Sequence, residues 1–367
     1  MKVAIICGSL QPGHDGVGDY TRKLAGELIR LGNEVTAVAL NDRHLKAITN
    51  ELQHADGVTV PVLRIPAAVT EQERYACLEK QMIASKPEWI SLQFVPYSFH
   101  MKGIPFKLFS KLAALKIKAK WHVLFHEVWL DKTERFSQNI VKLLQKTAIY
   151  TGLKTLKPNV VNTTIAYNQK RLKAIGVPST VLGLFGNIGP GVGVIAVPDC
   201  ILNGAANILY FGGPPRSEYL NQVITGLVTF CQSADRAVNV ILVSGNSPAK
   251  DVFKNILIEK LSPYGGQVND MGFVETPELS SLLSNCSVGV VRSEPYFLGK
   301  SGSAVAMLEH GLPIWLPKWT DQSPVDYEFR KHLIHARLNE AGEQAHETYS
   351  GLLPSIAQQF ITQLINN

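Results

Sequence analysis

The chain has 367 residues, 46% of them hydrophobic and 18% charged, a composition that fits a globular protein with ample core and, at roughly 100–200 residues per domain, two domains. No run of about 18 apolar residues occurs, which excludes a membrane-spanning helix, and the opening apolar run is too short for a signal peptide. The net charge of +6 divides unevenly: residues 1–185 carry 25 Lys and Arg against 14 Asp and Glu, and residues 186–367 carry 11 against 16. The first half is therefore expected to meet something anionic.

The run "KVAIIC" reads as a buried strand. It leads through "GSLQPGHDGVGDY" (residues 8–20) into an amphipathic helix from Tyr20 to Gly32. Then come the strand "NEVTAVAL", a helix containing "QERYACLEKQMIAS", the strand "EWISLQF" and the segment "FKLFSKLAALKIKAKWH". That segment carries Lys107, Lys111, Lys116, Lys118 and Lys120 on a helical apolar period. It reads either as a solvated helix face or as contact with an anionic membrane surface, and no nucleic-acid motif accompanies it. "KWHVLFHEVW", a long helix over about 134–154, "NVVNTT", the helix "NQKRLKAIG" and "STVLGLFGNI" complete the half. Residues 186–206 are rich in Gly and Pro and read as a junction.

The alternation then restarts with "NILYFGG", "VNVILVSG", "QVNDMGFV", "CSVGVVRSE" and "LPIWLP" as strands and helices between them. Strands separated by helices form βαβ units on parallel sheets. The expected fold class is α/β, with two Rossmann-like domains facing across a cleft. The expected boundaries are 1–190 and 191–350, followed by an amphipathic helix in 351–367 that can pack back on the first domain. Ligands bind beyond the carboxyl ends of such strands, so the loops there are the candidate site.

The first such loop has Gly13, Gly16 and Gly18 ahead of a helix. They either free backbone N–H groups for an anion or serve strand-to-helix packing. The loop is neither a dinucleotide fingerprint, because Thr21 stands where the third Gly or Ala belongs, nor a P-loop. In "ILYFGGPPRSEYL", Gly212 and Gly213 let a ligand near the strand end and Arg216 can fork onto phosphate. In "RSEPYFLGKSGSAVAMLEHGLPI", Lys300, Ser301, Gly302 and Ser303 open a helix and suit a diphosphate. His126 and Glu127 follow a buried strand, while His14 and Asp15 ride on the glycine loop. Trp129, Tyr97 and Phe99 either wall an acceptor site or belong to the core. Five cysteines without C-x-x-C spacing point to reduced thiols in a cytosolic protein and away from structural zinc.

The order of these segments resembles the GT-B glycosyltransferases that use nucleotide-sugar donors, the retaining group in particular. "GVGDYTRKLAGELIRLGNEVTAV", "NVVNTTIAYNQKRLKAIG", "GFVETPELSSLLSNCSVGVV" and "SGSAVAMLEHGLPI" carry the likeness, which spans nearly the whole chain. The resemblance implies that Gly16 and Gly18 approach donor phosphate and acceptor, and that His126 lies near the transferred sugar. It implies that Gly272, Phe273 and Val274 form a turn beside the nucleobase. It also places Arg216 near a phosphate and Lys300 to Ser303 facing the diphosphate. One departure stands out. Where many retaining members have two glutamates eight apart, this chain has Leu298 and Ala306. Glu309, one helical turn further on, is the remaining candidate for the ribose.

The chemistry expected is sugar transfer from a UDP- or GDP-sugar to a saccharide or lipid-linked acceptor, in polysaccharide or glycoconjugate biosynthesis. Lys300, Arg216 and the helix N-terminus would stabilise the leaving diphosphate without a metal or cofactor, since no Asp-x-Asp occurs. An inverting enzyme would draw its base from His14, Asp15, His126 or Glu127; a retaining one needs none. The partners are the donor, the acceptor and an anionic membrane face reached from the cytoplasm, with no nucleic acid. Two rivals share the architecture: a nucleotide-sugar epimerase or hydrolase, and a non-catalytic transferase-like partner protein.

Overall fold

The computed structural model describes residues 1–131, 135–190, 196–215, 217–291, 295–317, 329–341, 349 and 351–367. Contacts divide the chain into two compact units. One is Met1–Leu184 together with Leu353–Asn367, and the other is Phe185–Leu352.

In chain order the first unit contains β1 (Lys2–Cys7), α1 (Gly16–Arg30), β2 (Glu34–Asp42), β3 (Thr49–Ala55), β4 (Val58–Pro66), α2 (Glu71–Ser85) and β5 (Trp89–Phe94). It continues with α3 (Pro96–Phe99), α4 (Phe106–Ala113), β6 (Lys120–Phe125), α5 (Phe136–Leu156), β7 (Val160–Thr163), α6 (Ala166–Lys173) and β8 (Thr180–Val181). Among the described residues the sheet order is β3-β4-β2-β1-β5-β6-β7-β8. Its pairs are parallel except the β3–β4 hairpin. The hairpin is absent from the sequence reading. Its signal was the turn Asp56-Gly57, where both residues have positive φ, at 48° and 80°, as a two-residue hairpin turn requires.

The sequence placed the start of α1 at Tyr20, but the helix begins at Gly16. Asp15 caps it, so Gly16 and Gly18 belong to its first turn and not to a loop. On one face of the sheet Ile90, Leu92 and Phe94 of β5 pack with Val123 and Phe125 of β6 under α2, α4 and α5. The close seat of α4 on α5 depends on Gly152, where a Cβ would stand 2.2 Å from the Phe109 ring.

The second unit contains β9 (Ala206–Phe211), α7 (Ser217–Ser233), β10 (Val238–Val243), α8 (Pro248–Leu261), β11 (Gln267–Gly272), α9 (Thr276–Asn285) and β12 (Val288–Val290). After these come α10 (Gly302–Glu309), β13 (Ile314–Trp315), β14 (Ile334–His335) and α11 (Leu338–Ala341). The described strands form a parallel sheet in the order β11-β10-β9-β12-β13-β14. The central β9, buried except at Phe211, and the fully buried β10 read as largely apolar runs for this reason, each with one buried Asn, Asn207 and Asn239. The last helix, α12 (Leu353–Ile365), returns to the first unit, where Phe360 lies edge-on to His122 at 5.1 Å.

Candidate functional site

In the first unit the segment after β1 is tied down from three strands. Leu10 N–H donates to Asp42 (3.1 Å), Gln53 Nε2 donates to Leu10 O (3.1 Å), and Arg64 donates to Gln11 Oε1 (2.7 Å) and to Asp42 (2.8 Å). Burial pushes the Asp42 carboxyl up. The Arg64 hydrogen bond and the His44 and Leu10 N–H groups outweigh it and hold the group below the usual carboxylate range. The loop is thus a built surface. Sequence reading missed these anchors because they come from β2, β3 and β4.

At the end of this loop Asp15 Oδ1 accepts from Val17 N (2.9 Å) and Gly18 N (2.8 Å). Burial raises its pKa, against the pull of those two N–H groups. Gly18 is required by packing, since a Cβ would stand 2.4 Å from Ser9 O. Gly16 is different: it is exposed and a Cβ there meets nothing within 4 Å, which leaves room for a ligand at the helix N-terminus. His14 is exposed, its ring 5.1 Å from that of His44.

His126 is buried, with Tyr20 edge-on at 4.8 Å and Glu127 half-buried beside it. It ends a row of hydrogen bonds across the sheet. His126 Nε2 meets Gln93 Oε1 (2.9 Å), Gln93 Nε2 meets Ser91 Oγ (2.7 Å), and Ser91 Oγ meets His122 Nδ1 (2.8 Å). His122 Nε2 then meets Asn162 Oδ1 (2.9 Å), and Asn162 Nδ2 meets Thr180 O (3.2 Å). A backbone carbonyl can only accept, so Thr180 O assigns the direction of every bond. Each imidazole then donates from Nε2 and keeps Nδ1 as the acceptor. Burial lowers the pKa of His122 to about 4, and burial with the neighbouring His122 lowers that of His126 to about 3. The signal in the sequence was the polar set Ser91, Gln93, His122 and His126 on alternate positions of apolar strands.

A cavity of about 400 Å³ lies beyond the ends of β2 and α3, lined in part by Asn41, Arg74, Tyr75, His100, Phe106 and Lys107. Of the aromatic trio named from the sequence, Trp129 is core, Phe99 packs on the core and lines this cavity, and Tyr97 is exposed.

In the second unit the predicted groups lie at the carboxyl edge of its sheet. Gly212 (φ 121°) follows β9 and Gly272 (φ 66°) ends β11, and a Cβ at either would meet nothing within 4 Å. Gly213 is held by Tyr210 Oη donating to its carbonyl (3.0 Å). The Gly272 turn rests on Asp270, which accepts from Gly272 N (3.1 Å), Lys250 (3.1 Å) and Lys254 (3.2 Å). Burial raises the Asp270 carboxyl, but the Lys250 bond and its other donors bring it below its usual range. Phe273 is 71% exposed while Val274 is buried. Lys300 lies 4.3 Å over the Phe297 ring, and Ser301 caps α10 by accepting from Ala304 N (3.4 Å). Ser303 sits beside it, Oγ to Oγ 3.2 Å. Gly302 makes room for Asn187, whose Oδ1 would be 2.5 Å from a Cβ. Arg216 lies outside the described residues.

Glu309, the sequence candidate for the ribose, has a structural role as well. It is 1% exposed. Oε2 accepts from Gly186 N (2.9 Å) and Oε1 from Leu352 N (2.5 Å). Both oxygens serve the backbone, one at each end of this unit. Among the described residues no cluster of His, Cys, Asp and Glu could hold a metal ion.

No family model and no curated protein matches the sequence. Solved structures do match its fold. HepE of Anabaena, in complex with UDP and glucose, is 14% identical with a TM-score of 0.61 over 100% of both chains. Sucrose-phosphate synthase of Thermosynechococcus elongatus is 15% identical, with a TM-score of 0.58 over 86% of this chain and 80% of that one. The UDP-GlcNAc 2-epimerase of Neisseria meningitidis bound to UDP-GlcNAc is 12% identical, with a TM-score of 0.56 over 100% of both. The chain has the GT-B fold, shared by nucleotide-sugar glycosyltransferases and by epimerases.

Proposed function

We propose that this protein is a glycosyltransferase that moves a sugar from a UDP- or GDP-sugar to a saccharide or lipid-linked acceptor in glycoconjugate biosynthesis. The observation that carries the reading is the carboxyl edge of the second sheet. Open glycines at 212 and 272, the cation Lys300 and the N-terminus of α10 all follow strands on that edge. Backbone N–H groups and one ammonium suit a diphosphate, and the exposed Phe273 suits a nucleobase. HepE holds UDP on the same fold. Five free cysteines agree with a cytoplasmic setting.

In the reaction the bond from sugar C1 to the diphosphate oxygen breaks and a bond from C1 to the acceptor oxygen forms. The acceptor hydroxyl proton passes to the departing diphosphate oxygen. Lys300 and the α10 N-terminus take up the charge on the departing diphosphate. His126, with so low a pKa, orients a hydroxyl through Nδ1 and does not remove its proton at neutral pH. The acceptor sits in the first unit, supported by the cavity that Arg74 and Lys107 line.

Thermal unfolding with a panel of nucleoside diphosphates tests the donor reading. A bound nucleotide at 100 times its Kd adds about 2.7 kcal/mol. UDP or GDP should raise the midpoint, and Lys300→Ala should remove much of the rise; no response to any nucleotide refutes it. The Neisseria structure supports an epimerase as the second reading. Turnover that depends on an added acceptor separates the two.

A further inference from the structure

We infer that the outer face of α5 docks this protein onto an anionic lipid bilayer, with the helix lying in the plane of the surface. The expected membrane segment was "FKLFSKLAALKIKAKWH", of which α4 holds Lys107 and Lys111, while Lys116, Lys118 and Lys120 follow it. The structure buries Leu108, Phe109 and Leu112 of α4 in the core, which leaves Phe106, 43% exposed, as its one large apolar side chain at the surface and gives α4 no apolar stripe for lipid. The exposed apolar face belongs to α5. Phe136 is 80% exposed, Leu143 64%, Ile140 47% and Leu144 38%. These positions, spaced four, three and one apart, form one stripe on the side opposite the buried Gln145, Ala148, Ile149 and Gly152. Exposed apolar stripes of this kind mark interaction surfaces.

The stripe continues with Thr147, Thr151 and Thr155. Each hydroxyl donates to the carbonyl four residues earlier, at 3.0, 2.7 and 2.9 Å. Their hydroxyls are thereby satisfied by the helix and the methyl groups are left for the surface. On the buried side of α5, Gln145 donates to Tyr97 Oη (3.2 Å) and Lys102 O (3.4 Å), which holds the turn that carries Met101, 89% exposed.

Charge selects the partner. From residue 89 to 198 the chain has 15 Lys and Arg but only three carboxylates, Glu127, Asp131 and Glu134. Helix α5 itself has Lys142, Lys146 and Lys154 and no acidic residue. A protein partner would need a matching acidic surface, whereas an anionic bilayer supplies negative headgroups and hydrocarbon in one plane. At 21 residues α5 is about 31 Å long, and no described helix is long and apolar enough to cross a membrane. Phe106 and Lys107 line the first-unit cavity and open α4, which packs on α5. Docking would bring a lipid-linked acceptor's headgroup toward that cavity.

The test is flotation of the full chain with phosphatidylcholine vesicles, with and without phosphatidylglycerol, and it needs no turnover. Wild type should float only with the anionic vesicles. The triple variant Phe136→Ser/Ile140→Ser/Leu143→Ser should lose flotation while keeping its melting temperature, because all three side chains are exposed. Lys154→Gln should weaken binding about fivefold, the equivalent of about 1 kcal/mol per surface lysine. The proposal is overturned if wild type ignores anionic vesicles at low salt, or if the triple variant floats as well as wild type. It is also overturned if Lys116→Gln/Lys118→Gln/Lys120→Gln alone abolishes binding, which would move the contact to the segment before β6. A concentration-dependent dimer that the triple variant dissolves, with no flotation, would assign the stripe to a second copy of this chain.

Discussion

At His126 one imidazole nitrogen is committed and the other keeps its lone pair, and Gln93 decides which is which. Gln93→Leu removes the acceptor for Nε2–H while leaving the ring packed on Tyr20. It should cost roughly 10–100-fold in kcat/KM through misorientation alone. Gln93→Glu keeps an acceptor but puts a carboxylate beside the ring, which raises the histidine pKa toward neutrality and adds an acid limb to the pH profile. A profile unchanged in both variants would separate the row from catalysis. The two buried histidines also set acid stability. Their folded pKa values, about 4 and about 3, lie below the unfolded value near 6.5. The unfolded chain therefore takes up protons first. The stability tied to the neutral rings is complete above pH about 6.5 and is lost as pH falls toward about 4, by about 1.4 kcal/mol per pH unit for each histidine. Urea midpoints measured down this range should fall, and a flat curve would contradict the neutral assignment. Glu309 makes a contrasting prediction. Glu309→Gln sets an NH₂ against Gly186 N–H or Leu352 N–H and should cost about 2–3 kcal/mol. Nucleotide affinity should change only slightly; a loss beyond about tenfold would mean that the carboxylate also meets the ribose.

For helix α1, two glycines that look alike in sequence have opposite environments. Gly16→Ala should leave the urea midpoint unchanged or raise it by up to about 1 kcal/mol, because the position is open. Gly18→Ala should lower it, because Ser9 O must move. If Gly16 faces a ligand, its alanine variant loses affinity while gaining stability. The central strands were legible because burial on both faces produces largely apolar runs such as "VNVILV" in β10, broken only by Asn239. Strands β8, β13 and β14 have two residues each, too short for any period to register; the runs over β8 and β13 read longer, and β14 has no counterpart in the sequence reading. The hairpin β3–β4 was hidden because "TNELQHA" places polar side chains on an edge strand. For α5 the periodicity marked a helix but not its two apolar faces. Distinguishing the one against Phe109 from the one open to the surface required knowing where α4 sits.

Over the whole molecule, the glycines, Lys300 and the capped helix starts of the candidate site could be located from the sequence, because strand–glycine–helix junctions are local. The anchors around Asp42, the row ending at His126 and the double bond of Glu309 could not, because each joins residues far apart in the chain. The first unit is itself assembled from distant pieces, for α12 returns to it after the whole second unit. On the ribosome this imposes an order. The second unit is one continuous stretch and can fold as soon as residue 352 emerges, whereas the first unit must wait with its sheet uncapped until Ile356 and Phe360 arrive. During that wait the face around His122 is bare to the cell, and a stalled or truncated chain would offer it to chaperones and proteases. Quality control of this protein should therefore be most sensitive to its last fifteen residues, Leu353–Asn367, far in sequence from the site they protect. Pulse proteolysis of nascent chains released before and after Phe360 should show the first unit turn resistant only in the longer ones.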